Sequence, residues 1–358
     1  MSAHPAPLAL TSRDFTFGVE FEFGIRFPER PFKRVVKIWE LIRDTLIVET
    51  GLQVRTEVEV EMLDTSPMYV NLMGPRKAKP TDDSIPESES FTTWVIGTDC
   101  SLEFKGEMEE DNGHEYYCCL EMQSPVLNFG PEALVEIKKV LTALHKHFNA
   151  VVNSTCGLHV HVGRGREGIS HVPFQHLMAT IWVFEPQISE LLHRSRETFG
   201  YCTPLNDISY LGVRGFEGSL LDLILGTSEV NEVVDMFGGY RNTIGVAYSI
   251  ENLRQPFMSP MKRTIEFRQH QGCLDPETVM NWVSFVVELV AWAHKIDRQD
   301  LKIFLSKYIN KKERYSVEDL FREIGFPKST FDFWRRQVEV LRDAEEKEDE
   351  RKAKEKGR

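Results

Sequence analysis

Along residues 16–25, TFGVEFEFGI, apolar and polar positions alternate: Phe17, Val19, Phe21, Phe23 and Ile25 against Thr16, Gly18, Glu20, Glu22 and Gly24. A period of two is the signature of a strand with one buried face. The same alternation predicts a strand over 56–62, TEVEVEM, and extended segments in TTWVIGTDCSLEF and EYYCCLEMQSPV, which pair as a hairpin. It returns in CGLHVHVG at 156–163, in TIGVAYSIENL and in KRTIEFRQHQG. Between these runs the apolar period lengthens to about 3.6, which predicts helices over 31–48, 131–148, 173–194 and 276–296, with one or two more between 215 and 237. The last 60 or so residues read as helical and increasingly charged.

Side chains two apart on a strand share a face. Glu20 and Glu22 therefore lie opposite the phenylalanines, and Glu121 lies with Gln123 opposite Leu120 and Met122. His159 and His161 oppose Leu158, Val160 and Val162; Thr264, Glu266, Arg268 and His270 share the face opposite Ile265 and Phe267. Segments far apart in the chain repeat one design, an apolar face for a helical layer and a second face carrying Glu, His or Arg. The pattern predicts an α+β fold in which a single sheet gathers these strands, with helices packed on its apolar face and the Glu, His and Arg side chains on the other.

Composition narrows the functional classes. A formal net charge of −12, with no long basic run, argues against a nucleic-acid partner. The first residues lack a basic segment followed by an apolar core, so the chain reads as cytoplasmic. The most apolar run, at 282–293, is too short for a bilayer and contains Glu288. The six cysteines have no zinc-ligand or disulfide spacing and read as reduced thiols. The domain reading is a flexible tail at 1–13, one catalytic domain at 14–340 with a polar loop inserted at 74–90, and a charged helix or tail at 341–358.

Each motif has an ordinary structural reading. An E-x-E strand is usually a half-solvated strand, and H-x-H at 159–161 serves a ligand or a structural role equally well. Their joint occurrence changes the balance, because carboxylates about 4 Å apart repel by roughly 4 kcal/mol at an effective dielectric of 20. Clustered acids need cations, and carboxylates with one or two imidazoles favour Mg²⁺ or Mn²⁺ over structural zinc.

In the order GVEFEF, WVIGTDCSL, EMQSPVL, CGLHVHVG, SRETFGYCTPL, SIENL and TIEFRQHQGCLDPE, these segments resemble the amidoligases of the carboxylate–amine ligase superfamily, relatives of glutamine synthetase and glutamate–cysteine ligase. The resemblance spans most of the chain. It implies a glutamine synthetase-like α+β fold, a curved, mainly antiparallel sheet with helices packed on one face and an acidic catalytic face, and ATP-dependent amide or isopeptide formation through an acyl phosphate. It also implies that Glu20, Glu22, Glu121, His159 and Glu266 hold Mg²⁺ or Mn²⁺. His161 and Arg268 would contact the transferring phosphate, with Glu22 joining them in catalysis, and Arg196, Asn252 and Ser101 would help bind the nucleotide. Asp99 and Ser101 match the family's aspartate–serine turn. Two positions depart from the pattern: Cys100 stands where relatives carry Gly, and Cys273 where they carry Thr. The carboxylate and amine partners, whether amino acid, peptide or protein side chain, stay open, as does the oligomeric state. Two other readings of the same residues also stay open: a zinc-dependent hydrolase built on His159 and His161, and a catalytically silent nucleotide- or metal-binding scaffold. A Cys156–His159 nucleophile pair is disfavoured, since residues three apart on a strand point to opposite faces.

Overall fold

The first alternating run forms β1 (Thr16–Phe27), whose odd positions from Phe17 to Ile25 are buried. The structure is a computed structural model and describes residues 10–28, 35–59, 91–99, 101–104, 116–198, 200, 202–239, 245–256, 262–309 and 315–356. The other strands are β2 (Val54–Thr56), β3 (Trp94–Gly97), β4 (Tyr116–Gln123), β5 (Leu127–Asn128), β6 (Ala150–Val151), β7 (Gly157–Gly163), β8 (Tyr248–Ser249) and β9 (Ile265–Gln271). They build one sheet in the order β2-β3-β4-β1-β7-β9-β8, with β5 and β6 also pairing β1. Among the described strands, β2 and β3 pair in parallel and the other pairs are antiparallel. The expected α+β class and mainly antiparallel sheet are present, as one large open, uncurled sheet.

Four helices cover the apolar face: α1 (Val36–Thr50), α2 (Pro131–His147), α3 (His171–Ser189) and α4 (Pro276–Lys295). α4 begins where the Asp275 carboxylate accepts the Thr278 N–H at 2.8 Å and Pro276 occupies the first turn, where a missing N–H costs nothing. Its apolar run is buried among Val160, Phe15 and the neighbouring helices. No described helix is long and apolar enough to cross a membrane. Each large side chain buried on the inner face of β1 contributes on the order of 1.5–3 kcal/mol, so this face fixes the register of the central strand. The hairpin expected between the third and fourth extended segments is the antiparallel pair β3–β4, with Gly97 opposite Glu121.

Three expectations need correction. Of the strand predicted at 56–62, Thr56 is extended, 57–59 turn helical and 60–62 lie outside the described residues. Thr56 and Glu59 form a reciprocal capping pair: Glu59 Oε2 accepts the Thr56 N–H at 2.7 Å, and Thr56 Oγ1 accepts the Glu59 N–H at 3.3 Å. This T-x-x-E signature starts a helix and overrides the alternation. Among its described residues, from 245 on, TIGVAYSIENL contributes the two residues of β8 and a 3₁₀ turn, Glu251–Leu253. His270 does not share the face of Glu266 and Arg268. A register shift lets Val160 face Phe267 while Leu158 faces His270, so β9 carries one extra residue there and the alternation inverts. His270 is buried against Trp282 of α4, and burial pushes its imidazole down to about 4. The loop at 74–90 lies outside the described residues, as does most of the tail at 1–13, whose end joins the short turn Ser12–Asp14. The C-terminal charged segment is part of one helix, Lys328–Lys356, tied back where Glu345 accepts the Arg194 N–H at 2.8 Å.

Candidate active site

β1 lies between β4 and β7, and that order assembles the polar face. Across β1 and β4, Glu22 faces Glu121 and Glu20 faces Gln123; across β1 and β7, Glu20 faces His159 and Gly18 faces His161; across β7 and β9, His161 faces Glu266. Directly opposed residues hold their Cβ atoms about 4.5–5.5 Å apart, so the register alone brings the side chains together.

The carboxylates converge on the histidines. His159 Nδ1 lies 3.4 Å from Glu20 Oε2 and 3.7 Å from Glu266 Oε1, and its Nε2 lies 3.6 Å from Glu22 Oε1. His161 Nε2 lies 2.9 Å from Glu20 Oε1, with Nδ1 at 3.2 Å from Thr264 Oγ1. Ligand atoms of Glu20, His159 and Glu266 all fall within 4.8 Å of one another. Glu22, His159, His161 and Glu266 are buried, so this face is covered, not bathed in solvent. Part of the cover is a small apolar cluster of Leu102, Phe104 and Cys156 beside Cys119. Cys118, one residue earlier, joins the main core on the other face, as alternation requires.

Gly157 makes the convergence possible. Its N–H donates to Glu22 Oε2 at 2.6 Å, and a Cβ there would stand 2.6 Å from His159 Nε2 and 3.0 Å from an Arg196 guanidinium nitrogen. Arg196 is buried and donates to the carbonyls of Cys156 (3.1 Å) and Arg268 (3.0 Å), thereby bracing β9 where Arg268 emerges. Arg268 pairs with Glu266. The turn expected at Asp99 and Ser101 is present, with the Ser101 N–H donating to Asp99 Oδ1 at 2.6 Å, and the Asp99 charge reaches Glu22 and Glu121. Asn252 sits half-buried in the 3₁₀ turn after β8, and no described hydrogen bond joins it to the carboxylates.

Burial pushes all these carboxyls upward, and their neighbours decide the outcome. For Glu20 the charges of His161 and Lys262 and bonds from both histidines outweigh burial and hold it well below the usual range. Glu266 is likewise lowered against burial by His161 and Arg268. Glu121, buried and beside the Glu20 charge, is raised to about 8 despite the Gln123 amide donating to it at 2.6 Å. Glu22 is raised by burial and by Asp99. His159 is raised because Glu20, Glu22 and Glu266 overcome its burial. The face therefore holds more acid than its own cations satisfy, and its donor set of carboxylates plus one imidazole fits a hard divalent ion.

Lys262 is a member of this site that the sequence reading missed; its Nζ lies 3.7 Å from Glu20 Oε1. It shares parity with Thr264, Glu266 and Arg268, the one signal that pointed to it. Cys156 is no nucleophile candidate, since burial pushes its thiol up to about 12.

A protein-family model described as "Putative amidoligase enzyme" matches residues 13–290, a span that contains every residue of this face. No curated protein matches the chain.

Proposed function

The chain belongs to the amidoligase family, and from that premise we propose that it joins a carboxylic acid to an amine at the expense of ATP. The observation that carries the reading is the meeting of Glu20, His159 and Glu266 beside Arg268 on one sheet face. Glu20, His159 and Glu266 would hold a divalent cation, with Glu22 and Glu121 next to them. Bound there, Mg²⁺ supplies positive charge to phosphoryl oxygens. An oxygen of the acid bonds to the γ-phosphorus as the bond to the β-phosphate oxygen breaks, giving an acyl phosphate and ADP. The amine nitrogen then bonds the acyl carbon, phosphate departs with the electron pair of the C–O bond, and the nitrogen loses one proton.

In this scheme Arg268 stabilises charge on the transferring group, where a fixed guanidinium needs little reorganisation. His161, held between Glu20 and Thr264, faces the same group. Arg196 is a positioning residue, since it grips the backbone of Arg268. Glu22, anchored on the Gly157 N–H, is our assignment for the group that accepts the amine's proton.

The test is to incubate the protein with ATP, Mg²⁺ and pools of acids and amines, following ADP and condensed products by mass spectrometry. Product formation that Glu20→Gln and Glu266→Gln abolish, with circular dichroism unchanged, supports the reading. Mg-ATP affinity unaffected by both substitutions and by chelator sinks it. A hydrolase using His159 and His161 predicts instead stoichiometric zinc and turnover without ATP.

A further inference from the structure

A cavity of about 700 Å³ opens beside Glu20 and His161, and neither Arg268 nor Arg196 lines it. It leaves the carboxylate cluster on the side away from Arg268, which the proposed function gives to the phosphoryl group, and from Arg196, which braces it. Its two ends differ in chemistry. At the cluster end stand Glu20, His161 and Lys262; further out, Phe91, Pro125 and Val126 present apolar surface, with the buried Trp94 and Leu127 behind them. Arg166 and Arg263 also line it, so cations outnumber the acids Glu20 and Glu136 in a chain whose net charge is −12. Glu136 accepts the Trp94 indole N–H at 2.8 Å, which leaves that wall apolar in character.

Phe91 marks the mouth. It has φ of 56°, the left-handed region that a bulky non-glycine residue rarely adopts, and its ring is 40% exposed. Its carbonyl accepts the Val126 N–H at 2.9 Å, and Val126 is itself 53% exposed. A strained aromatic residue held open beside an exposed valine, over a cavity of the size that encloses small-molecule ligands, is costly unless something covers it.

We infer that this cavity selects the acid substrate, and that the acid is a carboxylate carried on an apolar or aromatic body. Its carboxylate faces Lys262 and the cluster, and its apolar part lies against Phe91, Pro125 and Val126. A small polar acid such as glutamate or acetate leaves that wall wet and gains nothing from it. The inference rests on the proposed ligase reading for the acid's fate, but its binding is separable from catalysis.

The experiment uses the full chain and 3-phenylpropionate as the probe, with acetate and 3-phenylpropanol as controls, read by saturation-transfer NMR. The wild type is expected to bind 3-phenylpropionate at least tenfold more tightly than either control. Val126→Trp, which fills the mouth from an exposed position, and Lys262→Met each weaken it at least fivefold, while Mg-ATP affinity of Val126→Trp, measured by calorimetry, stays within twofold. Equal binding of acetate, or no binding of 3-phenylpropionate to the wild type, overturns the inference. So does a loss of Mg-ATP affinity in Val126→Trp with acid binding intact, which gives the cavity to the nucleotide. With hydroxylamine as the amine, hydroxamate should form faster from 3-phenylpropionate than from acetate. Acid binding that responds to both variants, without hydroxamate or ADP from any acid, upholds the cavity's selectivity and defeats the ligase reading alone.

Discussion

Glu266 on β9 and Glu185 on α3 are almost equally hidden from water, 6% and 3% exposed, and they titrate in opposite directions. Glu266 is held below the usual carboxylate range because His161 and Arg268 overcome its burial. Glu185 accepts the Leu205 N–H at 2.8 Å, but burial raises it to about 7, and the charge that acts on it is that of Asp207, another acid. Depth alone drives a carboxyl toward its neutral form; company decides whether it stays an anion. The sheet face is thus distinguished from an ordinary buried acid by the cations and imidazoles gathered around it.

The largest expected effect separates the two sites by function. Glu266→Gln should lower ATP-dependent turnover by about 10²–10³-fold, the scale of removing one charge-stabilising group, with the free energy of unfolding lowered by no more than about 3–5 kcal/mol, the cost of losing one partner of a buried ion pair. Steady-state ADP release and chemical denaturation measure the two quantities, and a collapsed midpoint with residual turnover would break the contrast.

Glu185→Gln should act on stability alone, and only with pH. The folded carboxyl binds its proton more tightly than the unfolded one, so stability is complete below about pH 4.5 and is lost as pH rises through about 7. The difference amounts to about 3 kcal/mol across that window, and Gln removes it. Urea titrations of both proteins at pH 5 and pH 8 should show a stability difference that is smaller in the variant.

His270 supplies the mirror case. Lowered to about 4 by burial against α4, it contributes stability above its unfolded value of about 6.5 that is lost as pH falls toward 4. His270→Phe should flatten this acid limb, by up to about 3 kcal/mol less the cost of its bond to the Gln271 carbonyl. An unchanged limb in acid denaturation would place the imidazole in a wetter setting than the α4 contact implies.

Gly157→Ala should have the smallest effect. A methyl 2.6 Å from His159 Nε2 displaces the ring without removing any charge, and about a tenfold loss of Mg²⁺ affinity is expected by calorimetry. Affinity equal to wild type would show that the ring has room that the backbone does not suggest.

Much of this face was legible before any fold was known, because the period of a strand assigns side chains to faces wherever alternation holds. Glu20, Glu22, Glu121, His159, His161 and Glu266 were placed correctly on that basis, and the phenylalanines of β1 were placed in the core. Two segments misled for reasons of the same local kind. At Thr56 a capping pair competed with alternation and won, and at His270 an inserted residue inverted the parity that the preceding Glu266 and Arg268 had established. Lys262 was missed although it opens the alternating segment, because it precedes the first apolar position, Ile265, and a terminal lysine of a strand reads as a solvated end.

The sequence by itself determined which residues share a face, the helical layer that the other face demands, and the excess of acid that calls for a cation, since these follow from backbone periodicity and charge within short segments. Only the tertiary structure decided that β1 runs between β4 and β7, that Arg196 reaches across to brace Arg268, and that Phe91 and Val126 meet at the mouth of a cavity beside Glu20. Strand neighbours and cavities arise from pairings between segments distant in the chain. Their selection depends on how whole faces pack together, which no short stretch of residues encodes.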